Sequence, residues 1–451
     1  MTGADGAIGF RIVGRPHVPV PDPIVAGRVR AAPAPHVEIA SRAARRPSYL
    51  VPLLALSGII LPTQVQLFLG PGIRFTPGRL AIVLLLIPAL LALFQSGRKV
   101  LLCDLLLFST AAWMVLASVT VAGASALSAA GGDALDLLGG YLIARGLVFG
   151  PLALDAFIRV LKVFAIVAVI FAVADHVSGR LFVQDIIASF LHTSSPPQAG
   201  LRRNMVRAAS TFDHEILFGV FCALTATILL YWERGILARS VAVGICLLGC
   251  VLSLSSVSLM LSGIAICVYA YDQLLNRYAW RWSTFWLLAG TLIAAFAGAS
   301  SNPLGWIVSH LTLDPQTGYF RMMIWEVALI YIGQSPIVGY AYGLFNNEIV
   351  DGSVDAIWLL DTLRFGVPMV FLFFLANVSV FLPTRRQSNG AGDRGLDRKR
   401  QAFTLVVLLF MFSGLTVHFW NFMWMFWGLC LGIRASLREL SIGPATSLDR
   451  R

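Results

Sequence analysis

"RAASTFDHEILFGVFCALTATILLYW", residues 207–232, places Arg207, Asp213, His214 and Glu215 at the mouth of an otherwise apolar run. From 214 to 232 that run approaches the roughly 20 residues that a helix needs to cross a hydrocarbon core. Ionisable groups at such a boundary are costly unless a polar cavity or a partner receives them. The stretch therefore poses two questions, what kind of fold it enters and what its charges face.

The chain around it answers the first. It has 451 residues, of which 57% are hydrophobic and 13% charged, and its mean hydropathy is +0.78. Similar apolar runs recur along most of its length, so the expected fold is all-α, a polytopic transmembrane helix bundle whose helices satisfy their own backbone hydrogen bonds. About twelve spans are expected, at roughly 50–70, 78–95, 100–121, 131–150, 155–176, 214–232, 236–254, 257–275, 284–300, 365–383, 402–417 and 419–436. The pairs 236–275 and 402–436 are divided at "SLSS" (253–256) and "TVHFWN" (416–421). Residues 1–47, rich in Pro, Ala and Arg, read as a disordered basic tail, 48–437 as the transmembrane domain, and 438–451 as a C-terminal tail.

The net charge of +11 fits this topology better than it fits nucleic acid, because the basic residues sit in alternate loops and do not interleave with aromatic ones. With both termini on the cytoplasmic side, only eight of the 34 basic residues fall outside: Arg74, Arg79, Arg180, Arg202, Arg203, Arg207, Arg321 and Arg364. Six of these lie in the two long outer segments, 177–213 and 301–364. Basic residues retained against that bias point to an anion on the outer side. The second segment carries helical periodicity and a break at Ser335-Pro336, as expected of amphipathic or re-entrant helices over the bundle. The six cysteines fall in apolar runs without metal-ligand spacing and read as small core residues, with no disulfide and no metal site expected.

Three stretches resemble the O-antigen ligase and polymerase superfamily of bacterial envelopes. "RAASTFDHEILFGVFCAL" resembles that family's Arg–small–Gly–Thr/Pro–Phe–x–His–Pro segment. "SLSSVSLMLSG" resembles its Ser-rich helix, and "TGYFRMMIWEVALIYIGQSPIVGYAYGLF" its Gly–x–Arg–x–x–x–Trp segment. "SVDAIWLLDTLRFGVPMVF" resembles a further segment of the exopolysaccharide polymerase branch. Glu215 stands where proline is usual and Ala356 where asparagine is usual. The His-Asn pair of the ligase branch has no counterpart near Asp355, which favours a polymerase.

The resemblance implies an inner-membrane enzyme that polymerises polyprenyl-diphosphate-linked oligosaccharide repeats on the periplasmic face, without a cofactor and in company with a chain-length regulator. It implies catalytic roles for Asp355, Arg321 and His214. Arg207, with its neighbours Arg203 and Arg202, would bind the diphosphate, and Trp325 and Trp358 would stack on sugar. The chemistry is coherent. Fixed guanidinium groups stabilise the charge that builds on a diphosphate leaving group, and a carboxylate or imidazole takes the proton of the attacking hydroxyl.

Each residue also has a plainer reading. Asp213 is placed to cap the helix entered at 214, His214 to satisfy the same helix end, and Asp355 to cap a short helix over 356–364. Arg321 is placed to pair with Glu326 or an adjacent carboxylate. Trp306, Trp325, Trp358, Trp420 and Trp424 fit interfacial anchors, and Arg145 fits a snorkelling helix end. The alternatives to a polymerase are a ligase that transfers glycan to a lipid or protein acceptor, a twelve-span secondary transporter, and a lipid-linked sugar flippase. In the transporter reading Asp104, Asp136 and Asp155 are scattered rather than aligned as a proton relay.

Overall fold

The computed structural model describes residues 48–62, 64–68, 74–95, 97–192, 200–202, 204–299, 315–352, 354–382, 393–419 and 422–442. The expected tail over 1–47, Arg203, Trp306, Trp420 and the chain beyond 442 lie outside these.

Among the described residues the fold is helical, with only two small antiparallel hairpins, Leu67–Phe68 with Arg74–Phe75 and Leu201–Arg202 with Met205–Val206. The long helices are α1 (Leu50–Ile60), α2 (Pro77–Leu93), α3 (Leu102–Ala122), α4 (Leu127–Leu147) and α5 (Pro151–Ser178). They continue through α6 (Phe182–Leu191), α7 (Glu215–Trp232), α8 (Ile236–Leu252), α9 (Ser256–Leu274) and α10 (Arg281–Ala299). The remainder are α11 (Pro315–Gln334), the short α12 (Glu348–Gly352), α13 (Ile357–Ser379), α14 (Asp393–Ser413) and α15 (Phe422–Ser441). Among the described residues five helical stretches are long and apolar enough to cross a membrane: 102–147, which is α3 and α4 joined by a 3-10 turn, and α5, α7, α9 and α13.

The sequence placed most of these elements but misjudged several ends. The span expected over 50–70 stops at Ile60, because Leu61 turns extended before Pro62 and the chain then forms the first hairpin. The loop expected over 384–401 gives way to helix from Asp393. There the Asp397–Arg400 pair (3.0 Å) spans one turn and Leu396 packs on the core. The C-terminal tail likewise begins late, since α15 runs to Ser441. Cys267 is exposed, unlike the other five cysteines, which are buried; all six are free thiols.

The centre is built from α15 lying against α4. Gly140 faces the Met425 carbonyl, and Gly428 faces the Leu137 carbonyl, so a side chain at either position would drive the helices apart. Trp427 is fully buried. It stacks on Phe410 (5.1 Å) and Trp424 (5.9 Å), and its indole N–H donates to Asn377 Oδ1 (2.8 Å). α7 is also enclosed, with nearly every residue from Glu215 to Tyr231 buried.

Arg145 does not snorkel. It is 1% exposed and bridges Asp104 (2.9 Å) and Glu439 (2.5 Å), while Tyr141 donates to the same Asp104. Arg98 holds the other oxygen of Glu439 at 3.0 Å and donates to the Arg145 carbonyl at 2.7 Å. Two guanidinium groups and two carboxylates thus neutralise one another and clamp α3, α4 and α15 at one end of the bundle. At the other end Arg79 reaches Asp136 through two nitrogens, at 3.2 and 3.0 Å. Asp136 and Asp104 are thus held apart, each as the structural partner of a different arginine.

Candidate functional site

The site is assembled from three segments at the end of the bundle where α7 begins. The first is the approach to α7. Asp175, near the end of α5, accepts from the backbone N–H groups of Ser210 (2.7 Å), Ala209 (3.2 Å) and Phe182 (2.9 Å). Gln184 on α6 donates to the Phe212 carbonyl at 2.6 Å. Residues 208–212 are consequently buried, Ser210 taking φ 56, and the charged residues on either side are fixed in place.

The helix cap is His214, not Asp213: its Nδ1 accepts from Ile216 N–H at 3.1 Å. With Nδ1 accepting, the proton of the neutral ring resides on Nε2. Glu215 follows, and its carboxylate pairs with Arg207 on one side and lies 3.4 Å from His214 on the other. Gly200 packs against this pair, where a Cβ would come within 3.1 Å of Glu215 Oε1.

The second segment is the turn between α8 and α9. Arg202 donates to the Leu254 carbonyl (2.6 Å), Arg207 to that of Ser253 (3.4 Å), and Ala208 N–H to that of Leu252 (3.0 Å). Ser253, Ser255, Ser258 and Ser262 are buried beneath it, linked through contacts such as Ser253 Oγ to Ser258 Oγ at 3.1 Å. The "SLSS" stretch is thus both the expected turn and the anchor of the Arg202–Arg207 hairpin.

The third segment, 315–367, has a small core of its own. Ile324, Ala328, Val350, Val354, Leu359 and Leu363 are buried together. Trp325 packs on their margin, one turn from Arg321 on α11. Asp355 lies just before α13, whose extended cap residue Ala356 makes no side-chain cap bond. The Asp355 carboxylate instead receives Arg321 Nε at 3.2 Å, so the partner of Arg321 is Asp355 rather than Glu326.

The expected short helix 356–364 and span 365–383 form one element, α13, broken at Gly366 (φ 79, ψ 170). The break exposes backbone groups that the preceding turn takes up. Tyr340 N–H donates to the Leu363 carbonyl (2.8 Å), Ala341 N–H to that of Arg364 (2.9 Å), and Val367 N–H to the Pro336 carbonyl (2.8 Å). Trp358, on the first arm, donates its indole N–H to the Met411 carbonyl (2.8 Å) and meets Trp427 edge-on at 5.7 Å.

These segments face one another electrostatically. Burial lowers the Arg207 guanidinium from its ordinary range; Glu215 opposes this, while Arg202 and Arg321 lower it further. Burial likewise lowers the His214 imidazole, which also feels Glu215, Arg207 and Asp355. His418, in the α14–α15 connection, is pushed down to about 3 by burial and by Arg364, with Asp355 opposing. Arg321 thus acts on Arg207, and Arg207 and Asp355 act on His214, beside the direct Arg321–Asp355 contact. His418 was read only as part of a turn. The signal was its side of the bundle, which it shares with Asp355, and Ile357 N–H donates to the Val417 carbonyl beside it at 3.1 Å.

Among the described residues, no three His, Cys, Asp or Glu side chains gather to hold a metal ion. Compared with models of known protein families the chain matches none, and no curated protein matches it.

Proposed function

We propose that this cluster is the active site of a membrane glycosyltransferase that polymerises polyprenyl-diphosphate-linked oligosaccharides on the outer face of a bacterial inner membrane. The supporting observation is that Arg321 and Asp355 pair at 3.2 Å while both act on Arg207 or His214, more than a hundred positions earlier. Twelve spans with both termini inside, the arrangement favoured by the loop charges, put these residues on the outer side.

The geometry suggests an order of events. At rest each arginine is neutralised, Arg207 by Glu215 and Arg321 by Asp355. A diphosphate offers four or more acceptor oxygens to planar guanidinium groups and competes for both. As Arg321 turns to the diphosphate, the Asp355 carboxylate is released from its ion pair and is free to accept a proton. The acceptor hydroxyl oxygen then bonds to the anomeric carbon, its proton passes to Asp355, and the anomeric carbon–oxygen bond breaks with its electron pair leaving on the diphosphate. Charge develops where Arg207 and Arg321 are already held. His214, with its proton on Nε2, is a donor in this scheme and orients the diphosphate. Asp355 is the base.

A strain deleted for this chain tests the reading. The expected result is loss of long surface glycan and accumulation of single lipid-linked repeats, restored by the wild-type chain and not by Arg321→Ala. Free polymer that fails to join its acceptor would indicate a ligase instead.

A further inference from the structure

At the far end of α7 the bundle holds a charged cavity. α7 has 18 residues, so its C-terminus lies about 27 Å from His214. There the N-terminal turns of α5 and α14 meet the chain leaving α7 around a cavity of about 500 Å³. Arg159, Arg234, Arg398 and Lys399 line it, against two carboxylates, Asp155 and Glu233.

Both carboxylates are already engaged. Asp155 takes Lys399 at 2.7 Å and the Trp232 indole N–H at 2.9 Å, while Glu233 takes Lys162 at 2.5 Å from outside the cavity. Arg159 spends one nitrogen on the Tyr49 hydroxyl (3.0 Å). Arg398 also acts on Asp272, but that carboxylate is held by Arg281 at 2.9 Å. Arg234 and Arg398 form no ion pair among the described residues. A concave, basic space with aromatic walls at the end of an apolar bundle is the form that phosphorylated headgroups occupy.

We propose that this cavity binds a phosphate-bearing anion, independently of the chemistry at the Arg321–Asp355 site. Two arginine forks reach into a space too small for a polymer and large enough for a phosphodiester headgroup or a small phosphorylated solute. The excess of positive charge in the lining selects an anion, and the planar forks select phosphate over a monovalent halide.

The test uses the full chain, first in detergent by native mass spectrometry with cardiolipin, phosphatidylglycerol or phosphatidylcholine, then by thermal unfolding with inorganic phosphate or pyrophosphate. The comparison is with the double variant Arg234→Gln, Arg398→Gln, and the control is Arg277→Gln, an exposed arginine outside the cavity lining. Each arginine is worth roughly fivefold in affinity for an anionic headgroup, so the double variant should bind roughly twenty-five-fold more weakly. Retention of cardiolipin or phosphatidylglycerol lost in the double variant alone assigns the site to a lipid. Stabilisation by phosphate or pyrophosphate lost in the same variant assigns it to a soluble phosphate. Equal loss in Arg277→Gln, or binding unchanged in the double variant, overturns the proposal. Replacing both arginines by lysine keeps the charge and should recover part of the binding, which separates loss of the site from loss of fold.

Discussion

Arg321 Nε lies 3.2 Å from Asp355 Oδ2, a contact that joins α11 to the start of α13 across 34 positions of chain. Both side chains keep some solvent access, 20% for Arg321 and 35% for Asp355. A half-open ion pair of this kind adds little to stability, because water screens it and two long side chains must be held in place. Arg321→Ala should therefore leave the folded protein in the membrane at near-normal amounts while lowering glycan polymerisation at least about a hundredfold, the scale of roughly 3 kcal/mol for a lost charge-stabilising donor. Arg321→Lys should recover only part of the rate, since the forked geometry is gone. Quantifying membrane protein and polymer length together in the three strains checks both halves.

The buried pair at the opposite end should behave in the reverse way. Removing Glu439 leaves Arg145, 1% exposed, without half of its counter-charge. Glu439→Ala should lower stability by about 3–5 kcal/mol, the usual cost of breaking a buried pair. Thermal unfolding in detergent reads this directly, and an unchanged midpoint would show that Arg145 reaches solvent after all.

The two histidines of the site set an acid limit. An unfolded imidazole binds its proton near pH 6.5, whereas His418 in the fold takes it only near pH 3, and His214 is also held below its ordinary range. Their contribution is complete above about pH 6.5 and is lost as pH falls through the window toward 3, because there the unfolded chain binds more protons. Unfolding midpoints should be flat from pH 8 to 7 and fall below pH 6. His418→Gln should flatten the fall.

Gly366 controls where Arg364 and the second arm of α13 point. Its φ of 79 and ψ of 170 belong to a region that is nearly exclusive to glycine, and a Cβ there would press on the Ile337 carbonyl. Gly366→Ala should cost at least about 1–3 kcal/mol in backbone strain alone. It should also disturb the Tyr342 hydroxyl bond to Asp133 (2.8 Å), which sits beside Arg364. A lowered unfolding midpoint with reduced polymer is the expected outcome, and a neutral substitution would remove the kink from the account.

Apolar run length and period made the helices legible, and the turn at 253–256 was readable because three serines interrupt two apolar runs. The pairing of Arg321 with Asp355 was legible only as two charges in one outer segment. Glu215 stood out only as a charge at the helix mouth where the resembling family has proline; that it pairs with Arg207 while opening α7 emerges from the packing. Arg145 looked like a snorkelling end because nothing local reveals that Asp104 and Glu439, 41 and 294 positions away, meet it inside the bundle. Contacts of that range depend on how the helices pack, and helical periodicity carries no record of it. The early end of the first helix at Ile60 was readable in Pro62, but the hydropathy of the following residues concealed it.

The central claim, that the Arg207–Arg321–Asp355 cluster transfers glycan from a lipid diphosphate, is tested most directly with purified protein in liposomes supplied with polyprenyl-diphosphate oligosaccharide. Products are separated by length and released diphosphate lipid is counted. The account predicts a ladder of lengthening glycans with one lipid diphosphate released per bond formed, absent in Arg207→Ala and Arg321→Ala and strongly reduced in Asp355→Asn. A wild-type protein that moves the lipid-linked glycan across the bilayer without lengthening it, or a ladder that persists in both arginine variants, would contradict it.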